Sequence, residues 1–302
     1  MKKAIVIGAS GFLGQHLLKV LKDEGIQIYA VHHHSPVAAD QEYQIHGGIK
    51  ALRYKLIDEI APDYIFHCAR PVLPRFKRAG RMVAARMAHR KNAVLIRQLN
   101  KATVKPLLVF ASGSLIYGNA DQPHTESSPP RPISYARQYF YGEKPILAAL
   151  GKEDHAVCIL RLPWLLGSGS WFKWFFLNVM KEKMVVPRYS SGNNRMEILD
   201  VSDAARLMLQ YAESGMTGIC NLPGEKSRSS SEFYSAISKI YNLPIQDYRD
   251  VFPAGIEKEA IEAFTSDISL GTNYPQLISR FRFRSLEESL GKIRSESNDL
   301  PD

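Results

Sequence analysis

Along the first half of the chain, short apolar runs alternate with stretches whose apolar residues recur three and four positions apart. The runs at 4–7, 28–31, 64–67, 107–111 and 156–161 read as strands. Between them, 13–23, 52–60, 84–100 and 135–150 have helical spacing. Strand and helix in strict alternation predict an α/β fold in which βα units wind onto both sides of a parallel sheet, a doubly wound arrangement. The segment from Ser127 to Pro132 is expected to be a loop, because consecutive prolines deny the backbone its donors. After Arg161 the pattern loosens, with helices expected near 172–183, 202–212, 230–241 and 286–295. This predicts a domain over 1–161 and a smaller C-terminal lobe over 162–302, sharing one core because no flexible linker divides them.

Composition narrows the picture. A chain of 302 residues with 45% apolar content can bury a substantial core, so disorder is not expected. The opening Met1-Lys2-Lys3 and the apolar run after it are broken at once by Gly8, Ser10 and Gly11, which reads as a buried first strand and not as a leader. The apolar stretch 171–180 carries Lys173 and is far shorter than the roughly twenty residues of a membrane span, so no membrane partner is expected. Cys68, Cys158 and Cys220 form no CxxC pair and read as reduced thiols of a cytoplasmic protein. His32, His33 and His34 are consecutive at a strand end and point in alternating directions, so no metal site is expected there. The net charge of +9 is densest over Arg70, Arg75, Lys77, Arg78, Arg81, Arg86, Arg90 and Lys91. We read that stretch as a solvated loop and helix face, or as an electropositive rim attracting an anionic small molecule, and expect no nucleic-acid partner.

The strongest chemical signal is Gly8-Ala9-Ser10-Gly11-Phe12-Leu13-Gly14, which leaves a predicted strand and opens a predicted helix. Glycines permit the tight turn and let a pyrophosphate reach the helix N-terminus, where free N–H groups and the helix dipole favour negative charge. Dinucleotide binding follows as the expectation. A carboxylate at the end of the second strand would select NAD through the ribose hydroxyls, and here Val31-His32-His33-His34-Ser35 offers none. That leans toward NADP over NAD, with His32, His33 and Ser35 as the ribose contacts.

Further motifs follow in order: PDYIFHCAR at 62–70, ASGSLIYG at 111–118, ESSPPRPISY at 126–135, RLPWLLGSGS at 161–170 and ILDVSDAARL at 198–207. With the GASGFLG turn at 8–14, this succession resembles the extended short-chain dehydrogenase/reductase family, the NAD-dependent epimerase/dehydratase group, over nearly the whole chain. The resemblance implies a Rossmann sheet with a smaller C-terminal substrate-binding lobe. It implies cofactor contacts from Gly8, Ser10, Gly11, Phe12, Leu13 and Gly14, from Cys68, Ala69 and Arg70, and from Ala111 and Pro163. It also implies a homodimer through the helices at 84–100 and 135–150.

The family's Tyr-xxx-Lys pair is met only in part. Tyr135 matches the tyrosine and Glu143 follows eight residues later, but Tyr139 stands at the lysine position. The family's serine aligns with Gly113, so Ser112 or Ser114 is the candidate hydroxyl. Lys144 lies too far along the helix to substitute, and Arg137 should point away from the face of Tyr135. A tyrosine with the ordinary pKa of about 10 donates a proton near neutrality more readily than it accepts one. This favours reduction of a carbonyl on a small or medium, apolar or aromatic substrate, with a buried phenol anchoring its helix as the plainer role for Tyr135. A nucleotide-sugar epimerase or dehydratase is the second reading, against which Trp164 replaces the expected asparagine and Arg195 is displaced by one position. A protein that binds the cofactor without turnover, as a sensor or scaffold, is the third. Trp164 and Trp171, with Arg195, are the substrate candidates. Trp171, Phe172, Trp174, Phe175 and Phe176 cover more than one helical face, so a core-facing helix cannot absorb them all.

Overall fold

The computed structural model describes residues 1–32, 43–71, 77–152, 156–249 and 258–297. His33, His34, Ser35 and Arg75 lie outside the described residues, as do the side chains of Lys77 and Arg78. The chain forms two compact units, one from Met1–Ser112, Arg137–Arg161 and Ala205–Cys220, the other from Gly113–Ala136, Leu162–Ala204 and Asn221–Asp302.

The first unit is built on β1 (Lys3–Ile7), β2 (Gln27–His32), β3 (Tyr43–His46), β4 (Tyr64–His67), β5 (Leu107–Gly113) and β6 (Val157–Leu162). A late strand, β10 (Gly218–Asn221), completes a seven-stranded sheet in the order β10-β6-β5-β4-β1-β2-β3. β3, β2, β1, β4 and β5 run parallel, with Ile7 facing both Val31 and His67 in register. The strands legible as apolar runs are those buried on both faces, and every residue of β4 and of β6 is buried. β3 escapes the pattern because it is an exposed edge strand, docked on β2 with the Tyr43 ring stacked 4.7 Å from Tyr29. β10 is short and begins at Gly218, whose φ is positive.

Helix α1 (Phe12–Asp23) turns Leu13, Leu17, Leu18 and Leu21 to one buried face. α2 (Tyr54–Ile60), α3 (Lys77–Lys101), α4 (Arg137–Leu147) and most of α6 (Val201–Glu213) complete this unit. Leu95 and Leu99 of α3 and Ile146 of α4 join Ile5, Ile65, Leu108 and Ile159 in its core. Pro145 lies inside α4 and has no N–H for the carbonyl of Tyr141. That carbonyl instead accepts from His89 Nδ1 of α3 at 3.0 Å, while the Gly142 carbonyl accepts from Asn92 Nδ2 at 2.9 Å. A break in one helix thus becomes a seam between two.

The second unit carries β7 (Trp164–Leu166), β9 (Arg195–Asp200) and β11 (Ser227–Ser229) in one small sheet, and β8 (Val186–Arg188) with β12 (Ile245–Asp247) in another. A π-helical turn at Lys173–Leu177 runs into α5 (Asn178–Lys183), followed by α7 (Ser230–Tyr241), α8 (Lys258–Thr265), α9 (Pro275–Ile278) and α10 (Leu286–Glu296). Ser229 and Ser285 begin α7 and α10 with capping boxes closed by Glu232 and Glu288. Among the described residues no helix is long and apolar enough to cross a membrane.

Candidate functional site

The glycine turn sits where sheet geometry makes a crevice. β1 has β2 on one side and β4 on the other, so the winding direction reverses there, and ligands of open α/β sheets bind outside the carboxyl ends of strands at such a reversal. Gly8 leaves β1 with φ +84°, a conformation that side chains resist, and a Cβ on it would lie 2.7 Å from the backbone of Ala69. A Cβ on Gly14 would lie 2.1 Å from the Gly8 carbonyl oxygen. The first helix therefore starts directly against the turn. Gly11 is its N-cap, exposed, extended at φ −80° and ψ 167°, with no side chain capping the first-turn amides. Ser10 and Phe12 are half-buried beside it, while Leu13 and Gly14 face inward. These observations fit a diphosphate: the cradle is one that any Cβ would fill, and its open amides lie at a helix N-terminus.

The expected partner strand reaches the same place. The Cys68 amide donates to the Ile7 carbonyl at 2.9 Å, extending the β1–β4 ladder, and burial pushes the Cys68 thiol up to about 12. Two residues on, the Arg70 guanidinium lies over the ring of Tyr139 in α4, 3.7 Å from its centroid. Such a stack is worth about 0.5–1 kcal/mol at an exposed site, and Arg70 is exposed.

Beneath this end of β4, His67 is buried against Phe110 and bonded through Nε2 to Asn92 Oδ1 at 2.9 Å. The Asn92 amide nitrogen is committed to the Gly142 carbonyl, so Oδ1 faces the ring and His67 carries its proton on Nε2. Burial lowers His67 from 6.5 to about 4, with the Asn92 bond opposing. The folded ring stays neutral while the unfolded chain takes up a proton below pH 6.5, so stability falls as pH drops from 6.5 toward 4 and the loss levels off below that. The full effect is about 3 kcal/mol. Denaturant titrations at pH 7 and 4.5 should show the wild type losing more stability on acidification than His67→Gln; equal losses would remove His67 from the pH dependence.

At the carboxyl end of β5, Ser112 enters a buried ionic cluster. Arg161 on β6 donates to Glu143 of α4 at 2.5 Å and to the Ser112 hydroxyl, which in turn donates to Glu143. Ser112 is thus committed to an ion pair. Ser114, the other hydroxyl candidate, opens the 3₁₀ turn Ser114–Ile116 in the second unit and is buried. Tyr135 lies in the turn before α4 and not on the helix, whose first residue is Arg137. The amide of the preceding Ser134 donates to Glu262 at 3.1 Å.

Residues 4–222 match the model of the NAD dependent epimerase/dehydratase family. The chain belongs to this family. No curated protein matches it. Among solved structures, TunA, an NAD dependent NDP-hexosamine 5,6-dehydratase of tunicamycin biosynthesis, aligns over 100% of both chains at 17% identity and a TM-score of 0.81. The Thermotoga maritima UDP-glucose 4-epimerase with UDP-glucose covers 98% of this chain and 99% of its own at 18% identity and a TM-score of 0.78. MoeE5 in complex with UDP-glucuronic acid and NAD covers 99% and 100% at 22% identity and a TM-score of 0.76. At these identities the likeness is one of fold.

Against the family pattern, two features of the first unit could not be found from motif spacing: the guanidinium on Tyr139 and the ionic partners of Ser112. The substrate candidates of the second unit are placed as follows. Arg195 is held through Nε and a terminal nitrogen on Asp267 and through both terminal nitrogens on the Ala120 and Asp121 carbonyls. Trp164 stacks on Phe264 at 4.9 Å and meets the edge of Trp171, which is itself surrounded by Phe172, Phe176 and Phe233. Phe172 and Phe176 are fully buried in the core of this unit, whereas Trp174 is 64% exposed. Most of the aromatic run is core, and Pro163, also buried, separates β6 from β7.

Proposed function

We propose that the chain binds NAD and acts on a nucleotide-linked sugar, as an epimerase or dehydratase. The glycine turn between β1 and α1 carries this reading, because it leaves a helix N-terminus without a side-chain cap beside the winding reversal, where a diphosphate is favoured. Membership of the family supports it, as do the UDP-linked sugars and NAD held by similar folds. The carbonyl reduction expected from Tyr135 is retained as half of epimerase chemistry, since a hydride taken from the sugar by NAD must be handed back to the sugar for the cofactor to turn over. NAD supplies the hydride acceptor and donor. From this chain, Gly8 to Gly14 and the segment Cys68 to Arg70 hold the cofactor, and Tyr135 transfers the proton at the sugar oxygen. With His33 and Ser35 outside the described residues, the lean toward NADP rests on the lack of a carboxylate alone, and we prefer NAD, the cofactor held by the similar fold of MoeE5.

The test is calorimetry with NAD and NADP, then NMR of UDP-hexoses incubated with protein and NAD. Heat with NAD and change at a ring carbon are expected; no heat with either dinucleotide sinks the reading. Tyr135→Phe should keep NAD affinity and lower turnover by about a hundredfold or more. Unchanged turnover would remove Tyr135 from the chemistry. A second reading, cofactor binding without turnover, draws on Tyr139 at the lysine position and on the ion pair that holds Ser112. Its signature is NAD heat with every sugar unchanged.

We further propose that the chain is a cytoplasmic homodimer. Its cysteines are unpaired with one another as disulfides, and Met82, Val83 and Met87 of α3 with Tyr141 of α4 are exposed on adjoining helices. Light scattering should give twice the chain mass, and Met87→Glu should halve it; a monomeric wild type would end the proposal.

A further inference from the structure

We infer that Arg70, laid on the ring of Tyr139, is the cation that takes over the duty left by the missing lysine, binding the nicotinamide-side ribose and phosphate of the dinucleotide. The inference rests on the NAD reading above and deepens it. It starts from an absence and a presence one contact apart. Tyr139 fills the position where the family's lysine is expected, and a neutral phenol cannot hold an anion as an ammonium does. Yet the same ring carries a guanidinium 3.7 Å from its centroid.

The position of Arg70 is dictated by the sheet. β4 ends at His67, and its continuation is pinned to β1 by the Cys68 amide on the Ile7 carbonyl. Ala69 then passes so close to Gly8 that a methyl group would not fit between them. Arg70 therefore emerges immediately beside the phosphate turn, at the carboxyl end of the strand that flanks the winding reversal. Arg70 is therefore placed to meet a dinucleotide whose diphosphate sits on that turn.

Tyr139 supplies what a loop arginine lacks. An arginine on an exposed loop loses rotamer freedom when it binds, which subtracts from affinity. A ring face fixes the guanidinium plane beforehand, and a planar fork of N–H donors suits phosphate and ribose oxygens. The tyrosine is in turn fixed by α4, whose carbonyls at Tyr141 and Gly142 are bonded to His89 and Asn92 of α3. An aromatic residue at the lysine position is thus a platform, and the charge comes from the loop after β4 instead of α4. Arg70 and Tyr139 together then form one binding device.

The test uses the full chain and two nucleotides, NAD and adenosine monophosphate, which lacks the nicotinamide-side ribose and phosphate. Arg70→Ala should weaken NAD by about tenfold, as loss of a charge-assisted bond does, and leave adenosine monophosphate unchanged. Arg70→Lys should keep most of the NAD affinity, and Tyr139→Lys added to Arg70→Ala should recover part of the loss by restoring a cation from α4. Equal NAD affinity in wild type and Arg70→Ala would overturn the inference. Equal losses for both nucleotides would overturn it too, since that is the mark of a general structural defect. If wild type gives no heat with NAD, the NAD reading itself has failed, a result separable from either.

Discussion

Glu143→Ala is expected to lower the unfolding free energy by about 3–5 kcal/mol, the cost of leaving an arginine buried without its counter-charge. The side chains of Glu143 and Arg161 are 1% and 2% exposed, and Arg161 sits in a strand whose other residues are also buried. In place of the lost carboxylate Ser112 offers only a hydroxyl. Replacing both ionic partners by apolar residues of similar size, Glu143→Leu with Arg161→Met, should recover most of the loss, because the desolvation cost of the pair vanishes with the pair. Urea titration at pH 7 measures all three proteins. A loss below about 1 kcal/mol for Glu143→Ala would class the pair with exposed ones.

Gly14→Ala is expected to abolish useful cofactor binding, with NAD affinity falling by about a hundredfold or more. The added methyl would lie 2.1 Å from the Gly8 carbonyl oxygen, and backbone cannot yield as a side chain can. To admit it, α1 must move away from the turn, carrying its first-turn amides off the diphosphate. Gly291→Ala is the control, since a methyl there meets nothing within 4 Å and the site lies inside α10. That change should raise stability by up to about 1 kcal/mol through helix propensity and leave NAD binding alone. Calorimetry on both variants decides the matter; retained affinity in Gly14→Ala would mean that the close approach of α1 to the turn is not what holds the cofactor.

How far the molecule could be read in advance depended on how local each cause is. Continuous apolar runs identified β1, β2, β4, β5 and β6 because strands covered on both faces are built mostly of apolar residues. β3 was missed because an exposed edge imposes no such pattern, and β10 because only Cys220 and Asn221 of its four residues are buried. The helix expected over 135–150 is shorter in the structure, starting at Arg137, so Tyr135 and Tyr139 are not on one regular helical face. In the aromatic run, Phe172 and Phe176 are four apart and buried, and Trp174 between them is exposed. The expectation that one core face could not absorb them all was correct for Trp174.

The glycine turn, the alternation of strand and helix, and the family were determined by the order of residues alone, because turn conformation and amphipathic spacing act over a few neighbouring positions. Which cation faces Tyr139, and whether Ser112 has a free hydroxyl, were decided only when β4, β5, β6 and α4 docked. Arg70 and Tyr139, or Glu143 and Arg161, are brought together by sheet order and helix packing, and no local spacing encodes a meeting between separate elements.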